Sequence, residues 1–320
     1  MRTMDETGAV REILQNGDGF VIAGHTNPDG DAIGACLAMG LALTGLGRKA
    51  NVVLEEYNKK FNVIPGQNLV YKGDVNALEP GVLVCLDCAG ADRLGAARGL
   101  LEKARVTVCV DHHISNDFAA DHTVLDPAAS STSEIVYRII EPIARIDADI
   151  ASALYAGVVF DTGGFRHGCA SAETLRVAAK LMEKGIPFTE IYNELLHRNS
   201  AVEAAAFGEA LKNISYYAGG RVCRSFIAAG FLRDLGAGGQ DLDNIAEYML
   251  NIRGVMVSAF MYEKPDGSVK VSFRSKKEDV SVIAKGYGGG GHAHAAGATL
   301  NGSLDEVRDR VTEKLTALYE

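Results

Sequence analysis

Short Val-rich apolar runs, GFVIAG at 19–24, ANVVL at 50–54, GVLVCLD at 81–87, ARVTVCVD at 104–111 and HTVLD at 122–126, are bounded by turn residues and have the length of strands. Stretches with helical periodicity lie between and after them: DAIGACLAMGLALTG at 31–45, TSEIVYRIIEPI at 132–143, DIASALYAGVVF at 149–160 and AETLRVAAKLMEKG at 172–185. This alternation predicts an α/β domain with a mostly parallel sheet covered on both faces by helices. Residues 186–215 have helical periodicity with mixed polarity and read as a connection. The pattern then changes. VCRSFIAAG at 222–230 is strand-like, DLDNIAEYMLN at 241–251 is helical, and VMVSAFMYEKPDGSVKVSFRS at 255–275 reads as two strands around a turn at Lys264 to Ser268. The expected organisation is a sheet domain over 1–188, a helical linker over 189–213 and a smaller α/β domain over 214–320.

The polar residues that interrupt this pattern gather where strands end. HTNPDGDAIG at 25–34 follows the first strand, Asp87 ends the third, and Asp111-His112-His113 ends the fourth. Asp161 closes a helix and opens the glycine-containing loop DTGGFRHG. Turn chemistry accounts for part of this, since Asn27-Pro28-Asp29-Gly30 is a strong turn signal and Asp31 is placed to cap the next helix. A turn needs no histidine, however, and open parallel sheets bind ligands at the carboxyl ends of their strands. Several carboxylates stay ionised together only when a cation offsets their repulsion. Aspartates and histidines without cysteine form an oxygen-rich donor set that suits manganese better than structural zinc, and they are too many for one tetrahedral site. Two divalent metal ions about 3.5 to 4 Å apart, sharing a carboxylate and a water, form the usual phosphoester-cleaving arrangement.

Composition narrows the partners. At 320 residues, 47% apolar and 23% charged, the chain is long enough for two cores, and its formal charge of −9 argues against a sequence-independent grip on long duplex DNA. Small anionic ligands remain compatible, because a few placed cations or metals hold them. The stretch MRTMDETGAVREILQNG lacks a signal-peptide core, and the most apolar helix, at 35–47, is too short to span a bilayer. A cytoplasmic location without a membrane partner is therefore expected. Six cysteines in no regular framework fit a reducing compartment. Cys85 and Cys88 lie in an apolar strand, where residues three apart point to opposite faces, so plain packing is expected of them. His122 and His197 read as surface or satisfied histidines; His167, near the Asp161 loop, has no assigned role.

KGYGGGGHAHAAGA at 285–298 places four glycines, 288–291, before His292. Alone, such a run reads as a flexible loop, although it also lets backbone N–H groups approach an anion. Taken in order, HTNPDGDAIGA, the aspartate of CLDCAGADRLG, VDHHISN, VVFDTGGF and GGGGHAHAAGA resemble the motifs of the DHH phosphoesterase superfamily, named for its Asp-His-His triplet. The resemblance spans nearly the whole chain. A two-domain chain of this length is similar to the stand-alone bacterial nanoRNase and pAp phosphatase group, rather than to the longer RecJ-like exonucleases or the membrane-bound cyclic dinucleotide phosphodiesterases.

The resemblance implies a DHH catalytic domain followed by a DHH-associated substrate-binding domain, hydrolysis of short oligoribonucleotides (nanoRNA) or of 3'-phosphoadenosine 5'-phosphate (pAp), and a homodimer. It implies one metal held by His25, Asp29 and Asp87 and a second by Asp31, Asp87, His112 and Asp161, with Asp87 as the bridge. His113 is then expected to face the substrate phosphate, and Asp111 to accept the other imidazole proton of a ligand histidine. Arg274, Gly290, Gly291 and His292 are expected to hold nucleotide phosphates, with no settled role for His294. Cleavage of cyclic di-AMP or of linear pApA would use the same metal constellation and stays open as an alternative. A non-catalytic nucleotide-binding regulator is disfavoured, because every expected ligand is present.

Overall fold

The computed structural model describes residues 6–242 and 244–319. Residues 1–5, part of the stretch read for a signal peptide, and Asp243, within the helix expected at 241–251, lie outside the described residues. The chain divides into two compact units between Arg198 and Asn199.

In the first unit the elements follow in the order α1 (Glu6–Asn16), β1 (Phe20–Ala23), α2 (Gly30–Gly45), β2 (Ala50–Val53), β3 (Val82–Leu86), β4 (Val106–Asp111), β5 (His122–Leu125), α3 (Thr132–Ile140), α4 (Ala148–Asp161), α5 (Ala172–Met182) and α6 (Phe188–Leu196). The five strands pair in the order β2-β1-β3-β4-β5, all parallel, as the strand pattern predicts. Alternation within the strands divides two cores. Phe20, Ile22, Val84, Leu86, Val108 and Val110 face one side, where all six α-helices bury their apolar residues. Val21, Ala23, Leu83, Cys85 and Cys109 face the other, which is covered by Leu94, Ala97, Leu100 and Phe118. The expectation of helices on both faces is therefore met differently: residues 91–100 form 3-10 turns, broken at Gly95 where φ is 52°. The expected separation of Cys85 and Cys88 also fails, because Asp87 takes a left-handed φ of 56° and turns Cys88 into the same layer as Cys85. Both thiols are nonetheless free and buried, as packing requires.

The second unit comprises α7 (Ala201–Lys212), β6 (Ser215–Tyr217), β7 (Val222–Ile227), α8 (Ala229–Leu235), α9 (Ile245–Leu250), β8 (Val257–Glu263), β9 (Val269–Ser275), α10 (Val280–Gly286), β10 (Gly290–His292), β11 (Ala295–Leu300) and α11 (Leu304–Thr316). Its sheet runs β10-β11-β9-β8-β7-β6, with β7 and β8 parallel and the other pairs antiparallel. The hairpin expected over 255–275 is β8 and β9. The stretch 189–213 read as a linker is helical but shared: Ile191 and Leu195 of α6 enter the first unit's core, whereas Ala206 and Ala210 of α7 enter a core of the second. Among the described residues no helix is long and apolar enough to cross a membrane.

Helices α2 and α4 are buried nearly all round, which explains why neither shows an apolar stripe in sequence. Their close approach depends on glycine. A Cβ at Gly34 would meet the Ala153 carbonyl oxygen at 2.5 Å and the Gly157 nitrogen at 3.0 Å, so Gly34→Ala must push the helices apart. A loss of roughly 1–3 kcal/mol in urea unfolding is expected. Gly45→Ala, at the exposed end of α2 with nothing within 4 Å, should be neutral or stabilising by up to about 1 kcal/mol. Equal effects would rule out helix contact as the reason for Gly34.

Candidate metal centre

The loops after β1, β3 and β4 emerge side by side at the carboxyl edge of the parallel sheet, because those strands are its three central neighbours. Asp29, not Asp31, is the N-cap of α2: its Oδ1 accepts the N–H groups of Asp31 at 3.0 Å and Ala32 at 3.2 Å. The helix begins at Gly30, which puts Asp31 inside its first turn and out of capping position. Asp31 is fully buried. Its carboxylate accepts the N–H groups of Thr132 at 2.6 Å and Ser133 at 2.9 Å, so the positive end of α3 holds it. Asp87 is held in turn by the Thr132 hydroxyl, which donates to Oδ1 at 3.0 Å. Its left-handed backbone is a conformation that an aspartate tolerates at some cost.

Around Asp87 the expected metal ligands converge. The ligand atoms of His25, Asp29 and Asp87 form one group, and those of Asp31, His112 and Asp161 another, each with its atoms within 4.8 Å of one another. His25 Nδ1 lies 2.8 Å from the Thr26 carbonyl, which assigns the proton to Nδ1 and leaves Nε2 as a lone pair. That Nε2 is 3.6 Å from Asp87 Oδ2 and 3.9 Å from Asp29 Oδ1. His112 Nε2 sits 3.7 Å from Asp87 Oδ1 and 3.2 Å from Asp161 Oδ2. It is buried without a well-formed hydrogen bond. Asp111 does not orient a ligand histidine as expected: its Oδ1 accepts His113 Nδ1–H at 2.7 Å, and Asn116 donates to its Oδ2 at 2.7 Å. His113 is thus fixed through Nδ1, which also lies 3.6 Å from Asp87 Oδ1, and it groups with Asp87, Asp111 and His112.

The electrostatics show what this crowding does. Burial opposes charge on His112, yet the adjoining Asp161 carboxylate, with Asp31 and Asp87, outweighs it and pushes the imidazole up to about 10. Burial, then Asp87 and Asp161, push Asp29 up to about 6, and the same causes hold Asp31 well above the carboxylate range. The cluster takes up protons to relieve its own repulsion, and a divalent cation would relieve it better, at the orphaned His112 Nε2 and the facing oxygens. The donor set fits such an ion.

In the second unit, register places Arg274 opposite Ala295 and Ala295 opposite His292, so Arg274 and His292 share one row and one face. Arg274 Nη1 donates to the Phe273 carbonyl at 3.0 Å, and its Nε lies 3.8 Å from Glu247 Oε2. The glycine run is half turn and half strand. The N–H groups of Gly288 and Gly289 bond Lys285 and Ala284 carbonyls at 3.0 and 2.8 Å to end α10, and Gly290 to His292 form an exposed edge strand. His294 Nδ1 lies 3.2 Å from Ser275 Oγ.

Residues 19–158 match the DHH family, N-terminal domain, and residues 219–317 match the DHHA1 domain. The bifunctional oligoribonuclease and PAP phosphatase NrnA of Thermus thermophilus is 33% identical over 317 residues, 98% of this chain and 94% of that protein. The chain belongs to the DHH family. The enzyme of the same name from Bacillus subtilis is 27% identical, covering 94% of this chain and 95% of that one. A solved structure of an exopolyphosphatase-related protein from Bacteroides fragilis agrees with a TM-score of 0.91 at 25% identity, over 98% of this chain and 96% of that one. As a DHH-family phosphoesterase, the chain is a metal-dependent hydrolase of ester bonds, with its triplet at 111–113.

Sequence reasoning missed the supports of the DHH centre. Thr132 and Ser133 read only as the start of a helix, although the Ser-Ser-Thr-Ser-Glu run before its apolar residues signals a capped terminus with N–H groups to offer. Asn116 and His167 were also unassigned; His167 Nδ1 lies 2.9 Å from the Asp161 carbonyl. Thr132→Val keeps the N–H to Asp31 but removes the hydroxyl from Asp87. Manganese affinity, measured by calorimetry, should fall about 10- to 100-fold with the fold intact; unchanged affinity would make that hydrogen bond incidental.

Proposed function

We propose that this chain is a manganese-dependent phosphoesterase that hydrolyses short oligoribonucleotides and pAp to mononucleotides. The observation that carries the reading is the clustering of the expected ligands in two groups, one containing the buried Asp87 and the other reaching it through His112, whose Nε2 is 3.7 Å from Asp87 Oδ1. The full-length likeness to two enzymes named for oligoribonuclease and PAP phosphatase activity supports the substrate class. His25, Asp29, Asp31, Asp87, His112 and Asp161 would hold two divalent cations, which when bound would supply activation of water and neutralisation of charge at the phosphoryl group; the oxygen-rich set favours manganese. Asp87 would be the carboxylate shared between them. His113, oriented through Nδ1 by Asp111, offers Nε2 to a phosphoryl oxygen. Arg274, His292 and the backbone of Gly290 and Gly291 grip a further phosphate of a nucleotide substrate.

The direct test is incubation with manganese and, separately, pAp, pApA, cyclic di-AMP and a short RNA. Cleavage of pAp and RNA is expected; cleavage confined to cyclic di-AMP and pApA would assign second-messenger turnover instead. Asp87→Asn should lower activity by more than about 100-fold, since it removes a ligand and not merely a support. Near-normal turnover of that variant would refute the shared carboxylate.

Arg274→Ala separates capture from chemistry. It removes a charge-assisted hydrogen bond, so KM for pAp should rise about tenfold or more. Hydrolysis of bis-p-nitrophenyl phosphate, too small to need that contact, should persist. Loss of both activities together with metal would mean that the second unit sustains the catalytic centre itself.

A further inference from the structure

We propose that Arg93, in the segment after β3, is a substrate-phosphate contact built into the first unit beside the metal ligands. This deepens the phosphoesterase reading and rests on it. Arg93 is anchored by its backbone: its carbonyl accepts Thr26 N–H at 2.7 Å, and its own N–H donates to Gly90 at 3.0 Å. These bonds tie the loop that carries His25 to the loop that carries Asp87. They hold the arginine at a defined place beside His25, half-buried.

Its guanidinium is close to the centre but not satisfied there. Arg93 Nη2 lies 3.2 Å from His25 Nδ1. That nitrogen already commits its proton to the Thr26 carbonyl at 2.8 Å, so two donors face each other and the arginine gains no acceptor. The alternative tautomer would set a nitrogen lone pair against the carbonyl oxygen at that distance. Among the described residues Arg93 forms no ion pair with a carboxylate, in a chain with 41 acidic against 32 basic residues. Glu55, which reaches the same loops, accepts Asn27 N–H at 3.1 Å instead.

Charge explains what the free donors serve. The four aspartates of the centre would balance two divalent cations, so an arriving phosphoester would add uncompensated negative charge where solvent is partly excluded. A guanidinium beside His25 would offset that charge and present paired donors that match two phosphate oxygens. Arg93 differs from Arg274 in kind. It would engage the phosphate undergoing hydrolysis, which every substrate has, whereas Arg274 is assigned to a further phosphate that only nucleotides offer.

The test uses manganese-loaded protein and inorganic phosphate as the probe, so that no turnover is needed. In Arg93→Gln, phosphate affinity measured by calorimetry should fall about 10- to 100-fold, with metal content by mass spectrometry unchanged. KM should rise for pAp and for bis-p-nitrophenyl phosphate alike, unlike the split expected for Arg274→Ala. Arg93→Lys should restore part of the phosphate affinity, because it keeps the charge but not the fork. Unchanged phosphate affinity with reduced metal content would overturn the proposal and make Arg93 a prop for His25. If wild-type protein cleaves none of the nucleotides yet phosphate binding still depends on Arg93, the clamp stands and the substrate reading fails.

Discussion

The mutual repulsion of Asp29, Asp31, Asp87 and Asp161 is the constraint on which the rest of the first unit depends. Each carboxylate is positioned by a different piece of backbone: a cap, a helix terminus, a left-handed turn after a strand and the end of a helix. None can relax away without breaking that piece. The packing against the sheet serves the same end. A Cβ on Gly157 of α4 would collide with the Ser133 hydroxyl and come within 2.6 Å of Asp31 Oδ1, so the glycine that brings α4 close also leaves room for the carboxylate. The apolar packing of α2, α3 and α4 is what holds the charges at distances they would not choose in water.

Of the five described non-glycine residues with positive φ, Ala218 and Asn244 lie in the second unit and the other three near the centre. Asn27, Asp87 and Phe165 have φ of 52°, 56° and 67°, and all three lie in loops around the centre. Asn and Asp adopt this region readily, but an aromatic residue does not, and such positions cost about 1–3 kcal/mol each. They persist because neighbouring bonds over-determine them. Phe165 N–H is tied to Thr162 Oγ1 at 3.0 Å, and Asp87 N–H to the Val110 carbonyl at 3.1 Å.

The parallel sheet and the edge that carries the centre were legible because buried parallel strands are near-continuous apolar runs, and a charged residue at the end of such a run is conspicuous. His25, Asp87 and the triplet announce themselves in this way. What was not legible depends on single torsions. Asp111 goes to His113 because of side-chain rotamers, and Cys88 joins the layer of Cys85 because one φ at Asp87 is positive. The cover of the second sheet face was hidden for a related reason: Gly90, Gly95 and Gly99 interrupt any helical period, so 3-10 turns read as a loop. The Thr132 and Ser133 contacts join residues some hundred positions apart in the case of Asp31, beyond the reach of any local pattern.

The four glycines show how a sequence motif separates into fold and function. Gly289 and Gly291 are needed by the strands, since a Cβ on either would press on β11 backbone, at Gly297 or at Ala296. Gly288 has a φ of 74° and ends α10. Gly290 has no such reason: its φ is ordinary and a Cβ there would meet nothing within 4 Å. It occupies an exposed edge strand, where natural proteins more often place a charged or bulky side chain to discourage pairing with another chain. An edge left bare next to His292, in register through Ala295 with Arg274, is costly as architecture and useful as an approach for an anion. The glycine that the fold does not require is the one that the proposed phosphate grip explains.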